Sequence, residues 1–230
     1  MPPLSQCKDP PQPPPSTCFD HKDSITLKVV DGVKQETFSI ARGLLRWHSA
    51  FFAAALDPYG SSKESTSKKR ELKEEIPVVR AFHCWIYTGR LLDPPKPEES
   101  SDNQYLSSAV LCKIWVFADF RGFPALKNAA IDMLHESMAA KWATPSDDMI
   151  LYVYQNSPEG SQLRKFFIYA WIRTKSEGCF KELKKQDVPT DHQYWWATLD
   201  RCFWHDHSGP GGMLRKGGQK RKAGDVDPGE

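Results

Sequence analysis

Apolar and polar residues alternate where the folded part of the chain begins. Ile25, Leu27 and Val29 interleave with Thr26 and Lys28, the period-two pattern of a strand with one buried face. Asp31-Gly32 reads as a two-residue hairpin turn, since both residues tolerate the positive φ of a type I′ turn. A second strand returns over residues 34–40, with Phe38 and Ile40 facing inward. The period then changes. FSIARGLLRWHSAFFAAAL (38–56) reads as a strand end followed by two short helices, with Ser49 placed to cap the second through its hydroxyl.

The next stretch, 57–75, is dense in Ser, Lys and Glu, and its charges largely cancel. It reads as a solvated loop with a short strand near Leu72. Pro77 opens a helix, where its missing N–H costs nothing. Val78, Val79, Phe82, Trp85 and Ile86 recur along it at helical spacing, and Thr88-Gly89 ends it. After a loop rich in Pro, Glu and Ser (93–103), Leu106, Val110, Ile114 and Phe117 trace one face of a longer helix. Arg121-Gly122-Phe123-Pro124 breaks that helix and starts the next. Thr144-Pro145-Ser146-Asp147 marks a further helix start by capping and by the dipole. Ser157-Pro158-Glu159-Gly160 is a turn. Ser161 caps a helix whose Leu163, Phe166, Phe167, Ala170 and Trp171 share one face. A last helix is expected over 190–204, packed through Tyr194, Trp195, Leu199 and Phe203.

Composition narrows the classes. Forty per cent apolar residues and 12% aromatic in a 230-residue chain suffice for a real core. A net charge of +2 is too small to drive nucleic-acid binding by the whole molecule. Six cysteines (Cys7, Cys18, Cys84, Cys112, Cys179 and Cys202) are scattered without disulfide-like spacing, a usage suited to a reducing compartment. No signal-peptide core and no run of 18 apolar residues is present, so the expected location is nucleus or cytoplasm, without a membrane span.

Few residues carry recognisable chemistry. GxSxG, GxGxxG and GxxxxGK[ST] are all missing, and no nucleophile has a recognisable base partner, so the reading is non-enzymatic, with no cofactor. Cys202, His205 and His207, with His192, are of the types that bind zinc. Their C-x2-H-x-H spacing matches no common structural site and a second pair is lacking, so no metal is expected. His48 and His83 sit in apolar helices and read as packed side chains. Trp195, Trp196, Phe203 and Trp204 suit a helix packing face better than a base-stacking platform. Arg215, Lys216, Lys220, Arg221 and Lys222 form a candidate nuclear-import signal, with simple solubility as the competing account.

The succession of hairpin, two short helices, charged loop, WIYTGRL helix (85–91) and two more helices resembles the BTB/POZ domain. Similar segments are FSIARGLLRWHSAFFAAAL, Lys113–Asp119 and Gly122–Asn128, and TPSDDMILYVYQNSPEGSQLRKF is like the C-terminal helices of fungal members. The resemblance covers most of residues 22–175. It implies an α+β fold, a small sheet packed with helices, that binds proteins, with homodimerisation and cullin-adaptor activity as known uses. The loop starting Leu56-Asp57-Pro58-Tyr59 lacks the glutamate of a typical adaptor. Gly43 stands where the family has better helix formers, and glycine inside a helix costs about 1 kcal/mol. The expected organisation is a disordered proline-rich lead-in (1–21), a BTB/POZ-like domain (22–142), a helical extension (143–205) and a disordered basic tail (206–230). The expected function is a protein-interaction scaffold or adaptor. The alternatives are a cullin ubiquitin-ligase substrate adaptor and a protein associated with nucleic acid through its tail.

Overall fold

Alternating burial makes the first strand. In the computed structural model, which describes residues 6–56, 69–93, 104–141, 143–171 and 200–208, β1 (Ser24–Asp31) buries Ile25, Leu27 and Val29 almost completely. It pairs antiparallel with β2 (Lys34–Ala41), Ile25 facing Ile40 and Leu27 facing Phe38. β3 (Lys69–Leu72) lies parallel on its other side, Val29 facing Leu72, giving the order β2-β1-β3. The chain is α+β, with this sheet against a set of helices.

The hairpin turn falls one residue later than the sequence suggests. Asp31 is the last residue of the ladder, opposite Lys34, so Gly32-Val33 makes the bend and Gly32 supplies the positive φ of 60°. Asp31 has another task. Its carboxylate accepts the backbone N–H of Ile76 at 3.2 Å, satisfying a donor that the start of a helix leaves unpaired.

Helices α1 (Arg42–His48) and α2 (Ala50–Ala55) carry the chain from β2 toward β3. Ser49 separates them as expected: its Oγ accepts from Phe52 N at 3.0 Å and donates to the Arg121 carbonyl at 2.7 Å. α3 (Ile76–Thr88) has proline in its first turn and stops at Gly89, whose φ of 73° is left-handed. Its Tyr87 hydroxyl accepts from Ala41 N at 3.1 Å, fixing the helix against the end of β2. α4 (Ser108–Phe120) is capped by Ser107, and α5 (Pro124–Lys141) follows across Phe123. Phe123 is fully buried where these helices meet, with ring centroids 5.0 Å from Phe82, 5.6 Å from Phe52 and 6.4 Å from Trp85. Truncating a side chain so placed to alanine costs about 3–5 kcal/mol.

Residues beyond this core add two helices. α6 (Asp147–Asn156) is capped by Ser146, which accepts from Met149 N. After the turn at Gly160 (φ 72°), α7 spans residues 162–171, with Ser161 accepting from Arg164 N. Leu163, Phe166, Phe167 and Ala170 are buried as expected, but Trp171 is partly exposed instead of closing that face.

Three expectations at the chain ends need correction. Part of the proline-rich lead-in packs: a 3-10 turn at Ser16–Phe19 sets Cys18 and Phe19, both partly buried, against the core. Gly43 in α1 is the reason it can, because a Cβ there would stand 2.7 Å from both Cα and O of Cys18. The glycine is thus spent on close approach of two backbones. The helix expected to end at 204 is, in its described part, a 3-10 turn at Arg201–Phe203, where Phe203 points to solvent at 68% exposure and Trp204 is buried instead. Ordered chain also passes the boundary set at 205, with Asp206 paired to Lys127 at 2.7 Å. Residues 190–199 lie outside the described residues.

Candidate functional site

Two segments from opposite ends of the sequence meet against α5. Asp200 caps the Arg201–Phe203 turn, its Oδ1 accepting from Cys202 N at 3.0 Å, and so sets the direction of the Cys202 side chain. The next residue but one, Trp204, anchors the turn in the core, edge-on to Phe166 at 5.6 Å and against Tyr169 at 5.4 Å. Beyond it, Asn128 on α5 grips the backbone of Asp206 twice. Its Oδ1 accepts from Asp206 N at 2.7 Å and its Nδ2 donates to Asp206 O at 3.0 Å. The Asp206 carboxylate meets Lys127 Nζ, which also reaches Asp119 at 2.9 Å and sits 5.3 Å above the Trp115 ring. Burial opposes both charges, yet their pairing holds Asp206 below the usual carboxylate range and Lys127 above the usual ammonium range. Asp206, clamped in this way, fixes the residues on either side of it, His205 and His207.

The lead-in supplies the remaining partner. Lys8 donates its backbone N–H to Cys202 Sγ at 3.2 Å and its ammonium to the Asp200 carboxylate. This places Cys7 Sγ 3.8 Å from Cys202 Sγ and 3.4 Å from His205 Nδ1. Ligand atoms of Cys7, Cys202, His205 and His207 all lie within 4.8 Å of one another. On the far side of the ring, His205 Nε2 meets Asp132 Oδ1 at 2.9 Å. Arg201 approaches Asp132 and Glu136, each at 3.4 Å. Burial, with the neighbouring Cys202 sulfur, pushes the Cys7 thiol up.

In the sequence, Cys202, His205 and His207 lack a second ligand pair. In the fold, Cys7 joins them from 195 residues away as a fourth donor of a metal-ligating type. A cysteine in a proline-rich segment gives no local sign of its partner, and only the fold could disclose it. His192, the other residue considered, lies outside the described residues, as do Trp195, Trp196 and the basic cluster Arg215, Lys216, Lys220, Arg221 and Lys222.

His48 and His83 are packed, as expected. His48 lies under Trp85, ring centroids 4.9 Å apart, and burial drives its pKa down to about 4. His83 contacts Phe38 and Tyr87 and the Ser39 carbonyl. Cys112 is buried in α4 with its pKa pushed up to about 12, which removes it as a nucleophile.

A second surface feature lies at the C-terminal end of α4. Phe120, at the end of that helix, is 79% exposed, and Phe51 on α2 is 43% exposed. Both border the Arg121-Gly122 turn, where a Cβ on Gly122 would come 3.8 Å from Phe51 Cβ. Beside them runs a cleft of about 630 Å³ lined by Glu74, Lys113, Phe117, Phe120, Arg121 and Tyr152. Arg121 spans it, bonded to Glu74 at 2.7 Å and stacked 4.2 Å over Phe117.

No family model matches the chain, and no curated protein is significantly similar to it.

Proposed function

We propose that the chain is a non-enzymatic protein-interaction module of the BTB/POZ type. The sequence resemblance supports this reading, together with the order of elements: hairpin, two short helices, a third strand parallel to the first, then three longer helices. The observation that carries the interaction role is the aromatic edge. Phe120 leaves most of its side chain in water, and Phe51 part of its own, beside a cleft framed by Glu74, Lys113 and Arg121. Burying a phenylalanine that is otherwise exposed is worth about 1.5–3 kcal/mol, and apolar patches rimmed by charge mark protein contact surfaces. A homodimer formed through this edge and a complex with a different protein are both served by it.

The experiment compares the wild-type chain with the double variant Phe51→Glu/Phe120→Glu. Mass in solution is measured by sedimentation, and bound proteins are then identified after capture from lysate. The wild type should form a dimer or retain specific proteins that the variant loses, while both unfold at the same denaturant concentration. A monomeric wild type whose bound set equals that of the variant would sink the proposal. Neither the cullin-adaptor nor the nucleic-acid alternative gains support from the described residues, since residues 57–61 and the basic cluster at 215–222 lie outside them.

A further inference from the structure

We propose that Cys7, Cys202, His205 and His207 form a tetrahedral zinc site that clamps the N-terminal segment to the C-terminal turn. The inference is independent of the interaction role. With Zn–S bonds of about 2.3 Å and Zn–N bonds of about 2.0–2.1 Å, tetrahedral geometry sets two sulfurs about 3.8 Å apart and sulfur from nitrogen about 3.6 Å. The Cys7 and Cys202 sulfurs stand 3.8 Å apart, and Cys7 Sγ stands 3.4 Å from His205 Nδ1. A disulfide would need the sulfurs at about 2.0 Å.

The surroundings match that chemistry. A metal-bound histidine usually donates its second ring N–H to a carboxylate, which fixes the tautomer. His205 turns Nδ1 to the cluster and Nε2 to Asp132 at 2.9 Å. The Lys8 amide pointing at Cys202 Sγ stabilises negative charge on that sulfur. Zinc uptake converts two thiols to thiolates and releases two protons, so the thiolates cancel the charge of the ion. Two sulfurs with two imidazoles select zinc over magnesium or calcium, which take oxygen ligands.

A competing reading exists. Cys7, His205 and Asp132 stand in the order of a thiol nucleophile, its base and an orienting carboxylate. That reading gives His207 no task and leaves Cys202 only as an acceptor for the Lys8 amide, although both offer ligand atoms to the same 4.8 Å cluster. Four donors and a supporting carboxylate are all used only by a metal.

The test takes the full chain, purified under reducing conditions, and measures its metal content by elemental analysis. About one zinc per chain is expected, with loss of that zinc in Cys202→Ser and retention in Cys18→Ser, a cysteine away from the cluster. Asp132→Asn should weaken zinc affinity by about 10–100-fold. Wild-type protein stripped with chelator should bind cobalt(II) with the intense visible bands of tetrahedral coordination and a thiolate charge-transfer band, and zinc should displace both. The cobalt spectrum needs no variant, so it decides the matter even if a substitution prevents folding. An octahedral cobalt spectrum, zinc held equally well by Cys202→Ser, or a Cys7–Cys202 disulfide in the reduced preparation would each overturn the proposal.

Discussion

Gly43→Ala tests the account of the N-terminal segment, because two effects oppose each other at that residue. Alanine is the better helix former by about 1 kcal/mol, less near a helix end, so propensity alone predicts a gain. The structure predicts the reverse. A Cβ would meet Cα and O of Cys18 at 2.7 Å, well inside van der Waals contact, and these are backbone atoms that no side-chain rotation can move. Forcing an extra methyl group into a filled space costs about 1–3 kcal/mol. The net expectation is a loss of about 1–2 kcal/mol in the full chain. Urea unfolding followed by tryptophan fluorescence would show it as a midpoint lowered by about 0.5–1 M at an m-value of about 2 kcal/mol/M. In a chain lacking residues 1–20 the obstacle is gone, and the same substitution should then stabilise. A full-length Gly43→Ala protein as stable as the wild type, or more so, would refute the close approach of Cys18 to α1.

Acid should weaken the fold through its buried histidines. Burial holds His48 and His135 neutral, with pKa values of about 4 against an ordinary 6.5. The unfolded chain therefore takes up protons first as pH falls below 6.5, and stability is lost between there and 4, by about 2 kcal/mol per histidine at pH 5. The stability advantage of the wild type over His48→Gln should shrink by that amount between pH 7 and pH 5, measured by urea unfolding; a constant difference would refute the buried neutral state. Ser49→Ala should cost about 1–3 kcal/mol, because one hydroxyl both caps α2 and bonds the Arg121 carbonyl. Its unfolding midpoint in urea should fall accordingly, and an unchanged midpoint would show that the hydroxyl is not so used.

What the sequence disclosed was local. The alternation over 25–29, proline in the first turn of α3 with Gly89 at its end, and the serines ahead of α2 and α7 each carry their signal within a few residues. What it hid was long-range pairing. Asp31 looks like a turn residue until the start of α3, 45 positions on, needs its carboxylate. Gly43 looks like a weak point in a helix until Cys18 is laid across it. Asn128 is an unremarkable helix residue until the backbone of Asp206, 78 positions later, takes up both ends of its amide. Trp204 and Phe203 are neighbours of similar character, and only the 3-10 turn decides which is buried.

The contact between Cys7 and Cys202 also sets an order of events during synthesis. At about 5–20 residues per second, the ribosome needs roughly 10–40 seconds to lengthen the chain between them. Throughout that interval the sheet and α3 can assemble from residues already made, while the first thiol waits without its partner. Cys18 can settle against Gly43 as soon as α1 is made, whereas Cys7 has to wait for Cys202 and His205. Through that wait the Cys7 thiol stands without the sulfur and imidazole that flank it in the folded chain.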